Sequence, residues 1–115
     1  MEENVYNMLI VTNASMTTNV VSPMLDMSRI ESIVFYAKWT GTPTGTIKLQ
    51  VSLTELDADF VDLPDSSQAI AGAAGKFMWN VADTNFDQIR LVYTATSSTG
   101  TPTLNVQVNA KGAGQ

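Results

Sequence analysis

Apolar and polar residues alternate with a period of two along most of this chain, and the alternation recurs at the spacing typical of β-sandwiches. Ile47, Leu49, Val51 and Leu53 alternate with Lys48, Gln50 and Ser52. Leu104, Val106, Val108 and Ala110 alternate with Asn105, Gln107 and Asn109. Each segment predicts a strand with one buried and one solvated face. Ile33–Trp39 and Ile89–Ala95 lie just upstream, are rich in β-branched and aromatic residues, and predict two further strands. Weaker strand signals cover Val5–Val11, Met16–Ser22, Phe60–Leu63 and Lys76–Val81. No segment holds a helical period. Ser22-Pro23 could cap one helical turn through Asp26, and a short irregular strand fits there equally well. The expected fold is all-β: a single antiparallel β-sandwich, jelly-roll-like, of about eight short strands spanning residues 1–115.

Turn chemistry adds one detail. Thr40-Gly41-Thr42-Pro43-Thr44 recurs letter for letter as Thr99-Gly100-Thr101-Pro102-Thr103, each copy between an aromatic strand and an alternating one. Gly supplies a positive φ and Pro fixes the turn, so two similar hairpins are expected at 33–53 and 88–110. They are either common turn chemistry in a Thr-rich chain or two pseudo-equivalent parts of one sandwich. Between them, Pro64-Asp65-Ser66-Ser67 predicts a turn, and 69–75 reads as an exposed small-residue loop.

At 115 residues and 44% hydrophobic, the chain has material for one core without disulfides or a metal. It contains no Cys and no His, which removes disulfides, the commonest general base and the commonest zinc ligand. The net charge is −5, and Arg29, Lys38, Lys48, Lys76, Arg90 and Lys111 are scattered singly in sequence. A nucleic-acid partner is therefore not expected. No run approaches a membrane span. The start, Met1-Glu2-Glu3-Asn4, is acidic where a secretion signal is basic, so synthesis in the cytoplasm is expected and the sequon Asn13-Ala14-Ser15 is read as chance. A surface dominated by Thr, Ser, Asn and Gln suits packing against another protein, because burying it desolvates few ions.

Three groups of residues could carry chemistry. Glu55, Asp57, Asp59, Asp62 and Asp65 crowd eleven positions; Asp57, Asp59 and Asp62 are weak calcium candidates, and the competing reading is an acidic edge that discourages strand pairing. Trp39, Trp79, Tyr36, Tyr93 and Phe77 are core aromatics or a sugar-binding platform. Met8, Met16, Met24 and Met27 are core filler or adaptable contacts. No Ser-x-x-Lys spacing or phosphate-cradling glycine loop is present, so neither catalysis nor a cofactor is expected.

The run Ala37–Ser52, followed by Phe77-Met78-Trp79-Asn80-Val81, Ile89–Thr94, Leu104-Asn105-Val106 and Ala110-Lys111-Gly112, resembles small β-sandwich structural proteins of tailed bacteriophages. The resemblance covers roughly residues 30–112 and is carried by turns and core aromatics. It implies a virion protein, either a capsid decoration (cement) protein or a head-fibre or tail module that binds a receptor or carbohydrate. The implied partners are the major capsid protein or other virion proteins, with a homo-oligomer, guessed as a trimer. No catalytic residue is implied. The mid-region, with its acidic segment 55–65, departs from the regular strand the resemblance leads one to expect. Residues 1–11, upstream of the region of resemblance, are either an arm reaching outside the sandwich or its first strand.

Overall fold

The computed structural model describes residues 5–82 and 85–112. Ten strands run in chain order: β1 (Val5–Ser15), β2 (Val20–Val21), β3 (Leu25–Asp26), β4 (Ile30–Trp39), β5 (Thr42–Ser52), β6 (Val61–Asp62), β7 (Gln68–Ala71), β8 (Gly75–Val81), β9 (Gln88–Thr99) and β10 (Thr103–Gly112). One sheet has the order β1-β10-β4-β8. In the other, β9 and β5 are central, β2 and β3 both pair with the outer side of β9, and β6 and β7 both pair with β5. All pairs are antiparallel. Counting β2/β3 and β6/β7 as two interrupted strands leaves eight positions, in the order of a jelly roll.

Both interruptions have the same cause. Proline cannot donate to a ladder, and Pro23 and Pro64 fall at the breaks. A serine then fills the gap. The Ser22 hydroxyl accepts the Leu91 N–H at 2.9 Å, and the Ser66 hydroxyl accepts the Leu49 N–H at 3.1 Å. Both serines are buried. Of the two readings of Ser22–Asp26, the fold takes the short irregular strand, as β3. One expectation is corrected: the loop expected at 69–75 begins inside strand β7, with Ile70 in the core. One apolar residue among small ones is enough when its neighbours on β5 supply the ladder.

The paired Thr-Gly-Thr-Pro-Thr turns do not close hairpins. Strand β4 pairs with β10 and β8, while β5 pairs with β9. Each turn therefore carries the chain across from one sheet to the other. The β4–β5 turn crosses from the first sheet to the second, and the β9–β10 turn crosses back. The two corners lean on each other: the Thr40 and Thr103 hydroxyls are 2.8 Å apart, as are those of Thr42 and Thr99. Gly41 has φ +79°, and a Cβ there would stand 2.9 Å from the Pro102 Cα, so the corner requires glycine on both counts.

Inward alternation places Ile47 and Leu49 against Leu104, Val106 and Val108, all fully buried, with Val51 packed at the margin. Phe35, Ile33, Ile89, Leu91 and Tyr93 complete the centre, and Met16 and Met27 close its two ends. Leu53 departs from the expected alternation. The strand ends at Ser52, and Leu53 is exposed. Residues Val5–Ser15 form the outer strand of the first sheet, paired with β10 from Val5↔Lys111 to Ser15↔Thr103. Residues 1–4 of the possible arm lie outside the described residues.

Candidate interaction surfaces

Of the five aromatics proposed for a platform, Trp39, Trp79 and Tyr93 are buried. Each has its polar atom satisfied inside: the Trp39 indole donates to the Ala73 carbonyl (3.0 Å), the Trp79 indole to the Ser66 carbonyl (2.7 Å), and the Tyr93 hydroxyl to the Met16 carbonyl (3.2 Å). Phe77 packs edge-on against Trp79, 4.9 Å between ring centres. Only Tyr36 faces outward, half-buried. One ring is not a platform. The methionines divide, with Met16 and Met27 in the core and Met8 and Met24 exposed.

The acidic segment turns through a short 3₁₀ helix, Asp57–Asp59, before edge strand β6. Its three calcium candidates each have a separate partner. Asp57 pairs with Arg90, Asp59 accepts the Thr54 hydroxyl at 2.6 Å, and Asp62 accepts both Lys48 (3.0 Å) and Gln50 (3.0 Å). Hydrogen bonds from Gln50 and Lys48 hold the Asp62 carboxyl below the usual carboxylate range. Among the described residues, no three His, Cys, Asp or Glu side chains stand close enough together to hold a metal ion.

Arg90, like Gln88 and Ser52 near it, is placed wrongly by alternation alone. It points out of the second sheet, yet it is buried. Residues 57–60 fold back over it: Phe60 stacks on the guanidinium at 4.0 Å, and the Gln50 side-chain oxygen accepts from Nε (3.0 Å) and Nη2 (2.9 Å). Because the Asp57 side chain is largely exposed, its ion pair adds little, and stacking and the Gln50 fork do most of the holding.

Two apolar grooves open where the sheets part. One of 310 Å³ lies between β3 and the β1–β10 pair, lined by Met8, Leu25, Met27, Ile30 and Val108, with Arg29 at its side. The other, of 650 Å³, lies at the sandwich end beside β6, lined by Leu53, Val61, Leu63, Val81 and Phe86. Asp26, the one carboxylate on the first groove, accepts the Ser28 N–H at 2.9 Å, and this bond holds it below its ordinary range.

The outer face of the first sheet carries a feature the linear sequence hides. Its register stacks Asn105, Lys38 and Lys76 in one row. The next row holds Leu9, Gln107, Tyr36 and Met78, and a third holds Asn7, Asn109, Val34 and Asn80. None of these residues is acidic; Glu31 lies at the start of β4, beyond them. Strand pairing therefore brings together two of the basic residues that lie far apart along the chain. Lys38 and Lys76 face each other across β4 and β8, both exposed, where like charges repel. On the other sheet, Leu53, Leu56 and Val61 are 69%, 65% and 61% exposed, beside Glu55 and Asp65.

No family model matches the chain, and no curated protein matches it. Solved structures do. The SPBc2 prophage-derived protein YomS is similar at 12% identity over 96% of both chains, with a TM-score of 0.61. The coat protein of tobacco streak virus is similar at 8% identity over 96% of this chain and 86% of that one, with a TM-score of 0.55. A chain from the structure of infectious bursal disease virus, Gx strain, is similar at 11% identity over the whole of this chain and 33% of that one, with a TM-score of 0.56. At these identities the likeness is one of fold.

Proposed function

We propose that the chain is a non-enzymatic virion structural protein of a tailed bacteriophage, made in the host cytoplasm, that decorates the head shell and helps hold it together as a homo-oligomer, with a trimer the natural unit at shell threefold positions. The observation that carries this is the use of the chain. Nearly all of its described length builds a jelly roll, and what it presents outward is broad amide-rich and apolar surface on a chain only 15% charged. Such surface is inexpensive to desolvate against another protein. Jelly rolls serve viral capsids and lectins alike. The prophage-derived protein and the plant-virus coat protein share this fold over most of their lengths, which favours the structural role. Many copies on a lattice let each contact be modest.

A receptor- or carbohydrate-binding module of a head fibre or tail is the competing role, and burial of Trp39, Trp79 and Tyr93 counts against it. Purified protein incubated with assembled shells and, separately, with a glycan array distinguishes them. Decoration predicts saturable co-sedimentation with shells and no glycan signal; glycan binding without shell binding overturns it.

A further inference from the structure

We infer that the outer face of the β1-β10-β4-β8 sheet is an interface between copies of this chain, and that it receives segment 53–65 of the neighbouring copy. Lys38 and Lys76 sit directly opposite each other on adjacent strands, with no carboxylate in their rows. Among the described residues neither makes an ion pair; the two that occur are Lys48–Asp62 and Arg90–Asp57. Two adjacent unpaired ammonium groups on a chain of net charge −5 are a local reversal of sign that repulsion opposes unless an anion lies over it. Beside them, Leu9, Tyr36, Val34 and Met78 leave apolar surface uncovered.

The matching surface is on the same chain. Segment 53–65 carries the three most exposed large apolar side chains among the described residues, Leu53, Leu56 and Val61. Glu55 lies between Leu53 and Leu56 in the chain and Asp65 follows Val61, both exposed. One surface is apolar edged with lysine, and the other is apolar edged with carboxylate. They lie on opposite sheets, since β6 pairs with β5 on the second sheet, so a copy cannot satisfy itself. Contact between copies is therefore head-to-tail, which closes into rings such as trimers where its rotation closes and runs on as a filament where it does not. A molecule of 48 × 29 × 21 Å has a broad side able to supply the roughly 800 Å² per partner of a stable interface.

This interface gives the homo-oligomer of the proposed role a definite geometry and rests on that reading for its setting only. Sedimentation velocity of the full chain tests it, with melting curves to verify that each variant is folded. Wild type is expected to associate, less so as salt rises. The double variants Lys38→Glu/Lys76→Glu and Glu55→Lys/Asp65→Lys are each expected to sediment as monomers at the concentration where wild type is assembled. Mixed together, they are expected to re-associate in alternation, each face meeting a segment of opposite charge, so into open or even-numbered assemblies and not a closed trimer. Wild type that stays monomeric, or folded variants that each associate as wild type does, or a mixture that stays monomeric, overturns the inference. Shell binding by a monomer would do so too while leaving the decoration role intact.

Discussion

Val106 and Asn105 stand back to back on β10, one fully buried among Phe35, Leu49 and Leu91 in the core cluster and one turned to the outer face. Their facing follows from alternation alone. What alternation does not disclose is that Asn105 has work on its own side: its amide oxygen accepts the Asn13 N–H at 3.0 Å and its amide nitrogen donates to the Asn13 side chain at 3.2 Å. Asn13 has φ +50° at an irregularity in the β1–β10 register, so Asn105 helps fix that bulge. Val106→Ala is expected to cost about 1–3 kcal/mol through lost burial and the cavity left behind. Asn105→Ala is expected to cost less, on the order of 0.5–1.5 kcal/mol, since its two bonds are solvent-accessible replacements for water. Exposed Asn109, which also faces outward, is the silent control. Urea unfolding of the three variants checks the order; equal losses for Val106 and Asn109 would contradict the facing. Arg90 escaped sequence reasoning for a related reason. Its burial depends on residues 57–60 folding back, a contact across 33 positions that no local pattern encodes.

At the scale of elements, the long alternating strands were legible because each needs one buried and one solvated face, and a shift of one residue would reverse every side chain. The sheets they join were not. A hairpin and a corner between sheets share the same strand-turn-strand pattern, and only pairing with distant strands separates β4–β5 from a hairpin. The short strands β2, β3, β6 and β7 carry little periodicity of their own, and proline and serine at their breaks read as loop. The acidic segment was legible as charge but not as structure, because its partners Lys48, Gln50 and Arg90 come from β5 and β9. It also sets a pH dependence. Asp62 is more acidic when folded than when unfolded, since Gln50 and Lys48 bind its charged form. Its stabilisation is therefore present above the unfolded carboxylate range and is lost as pH falls through the lower, folded value. Asp62→Asn is expected to lower the melting temperature slightly at neutral pH and to match wild type near the bottom of the acid limb. A difference that grows toward low pH would contradict this. The side chain is more than half exposed, so the effect should shrink in salt.

Across the whole molecule, Lys38 and Lys76 stand unpaired on the outer face of one sheet, while the 55–65 carboxylates lie by the edge strand β6 of the other, where Lys48 and Arg90 pair with two of them. Composition could not reveal this, because net charge sums over faces that only the fold separates. The first strand shows the same limit. Sequence allowed Val5–Val11 to be an arm or a strand; in the fold the whole of β1 pairs with β10, and Val11 reaches the core. The absence of His and Cys, by contrast, was legible at once and bears directly on which chemistries the exposed faces can perform. Those faces, on a fold similar to that of a prophage-derived protein and a viral coat protein, are what the proposed shell-decorating role starts from. Quantitative mass spectrometry of purified particles that carry this chain tests that role most directly. Decoration predicts a copy number commensurate with that of the major shell protein, whereas a few copies per particle, or none, would contradict it.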